Sequence, residues 1–407
     1  MKLLNDVHQQ FAEYFNSENL KPYLYLLSKR MSDGHICINL DEISNNDLDE
    51  YYTFSKKSIE KEELVSDGSK IKPLILNNNR LYLHRYFNYE TIILNRIKDF
   101  IKNENENNQQ QEIQLKNNTS LLKLLFQNND KKEEAVNWQL VAAITAALNN
   151  FTIITGGPGT GKTTTVAKIL TLLSTVNPRL KIALAAPTGK AAARMAESLK
   201  NTLNNTEIPV SNEIKQKFET LEPSTIHRLL GYKRKSIYFK HNQQNPLDYD
   251  VIIIDESSMI DVALFAKLLD AIGPKTKLIL LGDKDQLASV EAGSLFGDLC
   301  QAQDKLNLFS KERIDFINQF IEEPGQPLNK HFVSNSSHLL FGHIIELQKS
   351  HRFSDDKGIG KFSKAIIQNN EKVIKEFFKN EDEQVKIDEA YSDKVFNTFI
   401  DGYADYI

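Results

Sequence analysis

Gly156-Gly157-Pro158-Gly159-Thr160-Gly161-Lys162-Thr163 directly follows the apolar run Phe151-Thr152-Ile153-Ile154-Thr155. The spacing is G-x-x-x-x-G-K-[ST], with glycines where backbone N–H groups must curl around phosphate oxygens and a Cβ would block both the turn and the approach. Lys162 supplies a point charge for the β- and γ-phosphates, and the Thr163 hydroxyl is placed to ligate Mg²⁺. Val166, Ile169, Leu170 and Leu173 then recur at helical spacing, so a helix starts at the loop and aims the positive end of its dipole at the same anion. Strand, glycine loop and helix in this order make nucleotide binding the first expectation. Gly157, Pro158, Gly159, Thr160, Gly161, Lys162, Thr163 and Thr164 form the expected cradle.

Outward from the loop, strand and helix patterns alternate from about residue 134, which predicts an α/β fold with a parallel sheet covered by helices. Four short continuous apolar runs read as strands buried on both faces: Phe151 to Thr155, Ile182 to Ala186, Val251 to Ile254 and Leu278 to Leu281. Residues 1 to 103 alternate short amphipathic pieces with acidic and aromatic residues and read as a small, mainly helical domain. The tract Asn103-Glu104-Asn105-Glu106-Asn107-Asn108-Gln109-Gln110-Gln111 can bury nothing and reads as a mobile loop or linker, so 104–133 is expected to hold a polar linker and an entry helix. A further domain is expected to begin near 345.

The 407 residues are 41% hydrophobic and 26% charged, an ordinary globular balance with ample core. No run reaches the ~18 apolar residues of a membrane span, and the N-terminus lacks a signal-peptide pattern, so the expected location is cytoplasmic with no membrane partner. Cys37 and Cys300 have no Cys-x-x-Cys neighbour and are read as small apolar residues. The formal net charge of −4 means that any nucleic-acid site must be local.

Asp250-Val251-Ile252-Ile253-Ile254-Asp255-Glu256 is an apolar strand ending in two carboxylates, where the C-terminal edge of a parallel sheet places its ligands. Asp255 is expected to hold Mg²⁺ through its water shell, and Glu256 to act as general base for the water attacking the γ-phosphate. Leu278 to Leu281 runs in the same way into Gly282-Asp283-Lys284-Asp285-Gln286. Gln286 can hydrogen-bond both the γ-phosphate and that water.

These motifs, with Ala186-Pro187-Thr188-Gly189-Lys190-Ala191-Ala192-Ala193-Arg194, Thr225-Ile226-His227-Arg228-Leu229-Leu230-Gly231, Asp255-Glu256-Ser257-Ser258-Met259-Ile260-Asp261 and Leu347-Gln348-Lys349-Ser350-His351-Arg352-Phe353, resemble in order and spacing the superfamily 1 helicases of the RecD family, the alpha subunit of exodeoxyribonuclease V. The match runs from about 135 to 370, with a fainter echo in Ser32-Asp33-Gly34-His35-Ile36-Cys37.

The resemblance implies a RecA-like P-loop NTPase domain over 134–344 and the start of a second RecA-like domain over 345–407. It implies a partner-docking role for residues 1–103, Gln139 reading the adenine edge, and Arg352 as an arginine finger. Trp138, beside Gln139, reads equally as a core aromatic. The implied activity is ATP- and Mg²⁺-dependent 5′–3′ unwinding of DNA in double-strand break repair, with single-stranded DNA as track and RecB- and RecC-type beta and gamma subunits as partners. Pro187, Thr188, Lys190, Thr225 and His227 can present hydroxyls, backbone N–H groups and a cation to a sugar-phosphate chain. Lys233-Arg234-Lys235-Ser236-Ile237-Tyr238-Phe239-Lys240-His241 resembles the small insertion, here near 232–247, that forms a strand-separating hairpin in relatives.

Nothing in Ser354 to Ile407 resembles the family's later motifs, so a truncated chain is expected. The competing reading is an ATP-binding, partner-docking fragment without autonomous helicase activity, and a more distant one is a P-loop ATPase that never touches DNA.

Overall fold

Asp6 opens the first helix by accepting from the amides of His8 (2.8 Å) and Gln9 (3.3 Å), satisfying two donors the helix cannot satisfy itself. The computed structural model describes residues 6–44, 52, 59–104, 108–127, 136–205, 211–286, 292–293, 295–321, 326–350, 357–379, 382, 384–385 and 397. Two units can be distinguished, Met1–Gly156 with Lys162–Leu347, and Gly157–Gly161 with Gln348–Ile407.

In the first unit, α1 (Val7–Tyr14) and α2 (Lys21–Ser32) pack together, and Tyr23 to Leu27 of α2 are buried. A small sheet follows, made of β1 (Cys37–Asn39), β2 (Val65–Ser66), β3 (Leu74–Asn77) and β4 (Arg80–Leu83) in the order β1-β4-β3-β2. Asn78 and Asn79 join β3 to β4 with φ of +46° and +58°, the left-handed pair that a tight hairpin needs and asparagine tolerates. This sheet goes beyond the mainly helical expectation, because strands of two to four residues are too short to carry a readable period.

The helix α3 (His84–Lys102) then ties this region to the larger sheet. Its Ile93, Ile97 and Phe100 are buried in the core on one face of that sheet, and Arg96 donates to the carbonyls of Leu269 and Ile272. The polar tract is only partly a linker. Asn108 to Gln111 start α4 (Asn108–Asn117), and with α5 (Thr119–Leu125) it sends Leu115, Leu122 and Leu125 into the opposite core. Residues 105–107 lie outside the described residues.

From α6 (Trp138–Leu148) onward the chain builds the larger sheet: β5 (Phe151–Thr155), α7 (Lys162–Val176), β6 (Ile182–Ala186), α8 (Gly189–Asn205), α9 (Asn212–Glu219), β7 (Ser224–Thr225), α10 (Ile226–Leu229), β8 (Val251–Ile254), α11 (Val262–Ala271), β9 (Lys277–Gly282), α12 (Leu295–Gln301), α13 (Lys311–Asn318) and β10 (Ile344–Glu346). Its six strands are all parallel, in the order β10-β5-β9-β8-β6-β7. Alternation within each strand divides the apolar side chains between two cores. Ile154, Leu184, Ile253, Ile279 and Leu281 face one, while Ile153, Ala183, Ala185, Ile252, Ile254, Leu278 and Leu280 face the other. Each such Leu or Ile contributes about 1.5–3 kcal/mol of burial, so the sheet is a rigid base for whatever its edges carry.

The four strands expected from the sequence are all present, and β7 and β10 are additional. The expected domain boundary at 344/345 falls inside β10, which pairs with β5 from Ile344↔Ile153 to Glu346↔Thr155. Over 232–247 there is no two-stranded ladder. Instead the excursion is closed at its neck by Lys240 N donating to Gly231 O (2.9 Å) and His241 N donating to Leu230 O (3.0 Å), with one bridge at Asn242↔Asn245. A left-handed Lys235 (φ +62°) breaks the extended run a hairpin would need. Gly231, at φ +73°, is required because a Cβ there would fall 2.7 Å from Cβ of Lys240.

In the second unit, α14 (Gly358–Ile367) and α15 (Glu371–Lys379) pair through Phe362 and Phe377, whose ring centroids are 5.0 Å apart. Lys361 and Glu376 approach to 3.4 Å across the same pair. No helix among the described residues is long and apolar enough to cross a membrane. Cys300 is buried and Cys37 half-buried, both as free thiols.

Candidate nucleotide site

Parallel β5, β8 and β9 end at the same edge, so the residues that follow each of them share a neighbourhood. After β5, Gly156 N donates to Gly282 O (3.2 Å) and the Thr155 hydroxyl accepts from Lys284 N (3.0 Å), which ties the root of the glycine loop to the turn after β9. Lys162 is the first residue of α7, and its Nζ donates to the carbonyl of Gly156 (2.5 Å). Thr163 and Thr164 stand in the same first turn. At the end of β9, Gly282 has the Phe296 ring 2.8 Å from where a Cβ would lie, so only glycine fits there.

The loop Gly157–Gly161 has the backbone its glycines allow. Gly159 and Gly161 adopt φ of +78° and +82°, left-handed values a side chain would strain. The Thr160 hydroxyl donates to Gly157 O (2.9 Å) and the Ser350 hydroxyl donates to Pro158 O (3.1 Å), so the loop is braced at both prolyl and glycyl carbonyls. Arg352 lies outside the described residues.

After β8, Asp255 accepts from Glu256 N (2.9 Å). Burial pushes the Asp255 carboxyl above its ordinary range, against the pull of that bond and of Lys162. Glu256 is also raised, first by burial and then by repulsion from Asp255, with Lys162 and Arg194 pulling the other way. Its backbone is left-handed, φ +52° and ψ +40°, a conformation that costs about 1 kcal/mol or more for a residue with a Cβ. Two neighbours quoted in the motif but given no role from the sequence organise the turn. The Ser257 hydroxyl donates to Ile254 O (3.1 Å), and the Ser258 hydroxyl donates to Oε1 of Gln286 (2.6 Å). That second bond joins the β8 edge to the β9 edge and leaves the Gln286 NH₂ group to point elsewhere. The only hint in the sequence was a pair of hydroxyl residues directly after two carboxylates.

Gln139, at the start of α6, accepts through Oε1 from Nζ of Lys168 on α7 (3.5 Å). Trp138 is a core residue, buried edge-on against Phe332 with ring centroids 5.2 Å apart.

The five residues expected to face DNA lie at or just beyond the ends of two neighbouring strands, since β6 and β7 pair at Ala185↔Ser224 and Ala186↔Thr225. Thr188 and Thr225 also have local duties. Each hydroxyl oxygen caps a helix, accepting from Ala191 N and Arg228 N respectively, both at 3.2 Å. The hydroxyl hydrogens remain to donate. His227 packs edge-on against Phe239, 5.7 Å between centroids, and Lys190 is exposed in the first turn of α8.

A parallel sheet with a glycine loop after one strand and an Asp-Glu pair after another defines the fold as that of a RecA-like P-loop NTPase. A model of the AAA domain matches residues 139–292, and one described as the N-terminal domain of RecBCD enzyme subunit RecD matches residues 1–82. The RecBCD enzyme subunit RecD of Haemophilus influenzae is 44% identical over 243 residues, covering 58% of this chain and 36% of that protein. The subunit of the same name from Buchnera aphidicola subsp. Schizaphis graminum is 31% identical over 98% of this chain and 66% of its own length. The ATP-dependent RecD2 DNA helicase of Deinococcus radiodurans is 38% identical over 43% of this chain and 21% of that protein. The chain belongs to the RecD family. It spans between 36% and 66% of the length of the two RecD subunits.

Proposed function

We propose that the chain is the nucleotide-hydrolysing part of a RecD-type DNA helicase subunit, working with RecB- and RecC-type subunits at double-strand breaks and moving 5′ to 3′ along one strand. The observation that carries this reading is the shared sheet edge, where Lys162, Asp255, Glu256 and the Ser258–Gln286 pair follow β5, β8 and β9.

Lys162 exchanges the Gly156 carbonyl for phosphate oxygens when ATP binds, and the loop amides of Gly157 to Gly161 add further donors. Thr163 and Asp255 are oxygen donors suited to a hard cation. A hard cation such as Mg²⁺ takes oxygen ligands and usually keeps several waters, so two protein oxygens together with phosphate could suffice. Held by Thr163 and Asp255, Mg²⁺ would supply charge neutralisation to the bound nucleotide. Glu256, made more basic by burial and by Asp255, orients the attacking water and takes its proton. Gln286, with its oxygen engaged by Ser258, offers its NH₂ group to the γ-phosphate. Arg352 completes the reading as arginine finger.

On the β6–β7 side, Pro187, Thr188, Lys190, Thr225 and His227 contact the strand's backbone without reading its sequence. The test is ATP turnover by the purified chain with and without single-stranded DNA. Turnover should rise on adding DNA, and the apparent DNA affinity should fall steeply with salt. Turnover indifferent to DNA would remove the motor reading and leave an ATPase.

A further inference from the structure

We propose that Lys168 is a positioning residue for purine selection, holding the Gln139 side-chain amide in the one orientation that matches adenine and opposes guanine. The inference rests on the reading of Gln139 as the residue that meets the base, and concerns what fixes its amide.

A glutamine amide presents an acceptor on one side and a donor on the other, and a half-turn about its last torsion exchanges them. Adenine offers a 6-amino donor beside the N7 acceptor, whereas guanine offers two acceptors, O6 and N7. An amide with its oxygen toward the exocyclic group and its NH₂ toward N7 therefore pairs with adenine and sets oxygen against oxygen with guanine. A freely turning amide discriminates less, because its NH₂ can swing to face O6.

Lys168 removes that freedom. An ammonium has three donors and no acceptor, so Nζ at 3.5 Å from the Gln139 amide can face only its oxygen. Turning the NH₂ toward it would oppose donor to donor. The lysine is itself held, with Nζ 4.9 Å from the centroid of the buried Phe126 ring. Burial pulls its ammonium below the ordinary lysine range, as expected of a cation kept among apolar groups for a specific partner. The oxygen retains a second lone pair for the 6-amino group. Lys168 lies six residues beyond Lys162 on α7, about 9 Å of helix rise, so phosphate and base ends of the site are set by one helix.

The experiment is equilibrium competition of ADP and GDP against a fluorescent ADP analogue on the full chain, which needs no turnover. Lys168→Met keeps the length and the apolar stem but has no donor. Its ADP-over-GDP preference should fall on the order of tenfold, the effect of one misaligned hydrogen bond, and Lys168→Arg should restore most of it. A Lys168→Met preference equal to wild type, with Gln139→Ala lowering it, overturns the lock while sparing the role of Gln139. If Gln139→Ala also leaves the preference unchanged, the base reading of Gln139 falls and the lock with it. Thermal midpoints of all three variants check folding. Should Lys168→Met fail to fold, Lys168→Gln provides the same comparison, because its own amide can face Gln139 in either sense and the preference should again fall.

Discussion

The two ends of the large sheet both carry charge, yet in opposite ways. At the C-terminal edge Lys162, Asp255, Glu256 and Gln286 stand at least partly open, and the bonds of Lys162, Asp255 and Gln286 include ones to backbone groups and to one serine. At the other end Glu104 and His343 are buried and Lys277 and Arg313 half-buried, and the four are held mainly by backbone groups and by Asn149. Glu104 accepts from the amides of Asn150 (2.6 Å) and Phe151 (3.1 Å) at the root of β5, and its other oxygen lies 3.7 Å from Nε2 of His343. Lys277 donates to Asn149 O (2.8 Å), and Arg313 reaches Oδ1 of Asn149 (3.4 Å).

β9 spans the whole contrast, with Lys277 at its start and Asp283 just past its end, about 20 Å apart at strand rise. The lesson concerns partners. The closed-end charges are tied to backbone and to Asn149 deep in the fold, whereas on the proposed function the open-edge groups would exchange bonds such as that of Lys162 to Gly156 O for a polyanion.

If that division is right, the two ends should fail differently. Lys162→Ala should lower ATP turnover by at least about 10³-fold, and Glu256→Gln by about 10²–10⁴-fold with nucleotide binding retained, both at nearly unchanged thermal midpoint. Full turnover in Lys162→Ala would break the assignment of the open edge.

Glu104→Ala should do the reverse. It orphans two buried amides and removes the countercharge of Lys277 and Arg313, so unfolding in urea should show a loss of about 3–5 kcal/mol while kcat per folded molecule is kept. A large fall in kcat at full stability would mean that the closed end serves the chemistry directly.

The pH response sharpens the contrast. Burial raises Glu104 to about 7 and lowers His343 to about 4. Between pH 7 and 4.5 the folded Glu104 binds a proton that the unfolded chain does not, so this group adds stability as pH falls. Between pH 6.5 and 4 the unfolded histidine is protonated while folded His343 stays neutral, so that group subtracts stability over nearly the same window. Glu104→Gln deletes the first contribution, and its stability should decline more steeply than wild type from pH 7 to 5. Parallel urea curves at the two pH values for both proteins would refute the opposition. The smallest effect is expected from Ser258→Ala, where a Gln286 free to turn should lower kcat a few-fold with KM unchanged.

Much of the open edge was legible because its chemistry is local. The glycines, Lys162 and Thr163 must be contiguous to wrap a phosphate, and Asp255-Glu256 must follow an apolar strand to reach the same edge. What escaped is held together by long-range contacts. Glu104 sits in a polar tract that reads as solvated, and only the fold brings it to Asn150 and His343. Ser258 meets Gln286 across 28 residues, and Lys168 meets Gln139 across 29, separations that no local pattern encodes. Thr188 and Thr225 show the converse, since their helix-capping duty explains a hydroxyl at each position before any DNA is invoked.

The left-handed backbone at Glu256 gives this protein an evolutionary asymmetry. A glycine there would shed the strain, the buried carboxylate and its repulsion from Asp255 together, so Glu256→Gly should unfold at equal or higher temperature than wild type while hydrolysing almost nothing. On the proposed function, selection for folding alone would therefore erode hydrolysis at the residue proposed as general base. On that reading, a glutamate kept at this position in any descendant of the chain would mark selection for hydrolysis rather than for nucleotide binding or assembly alone.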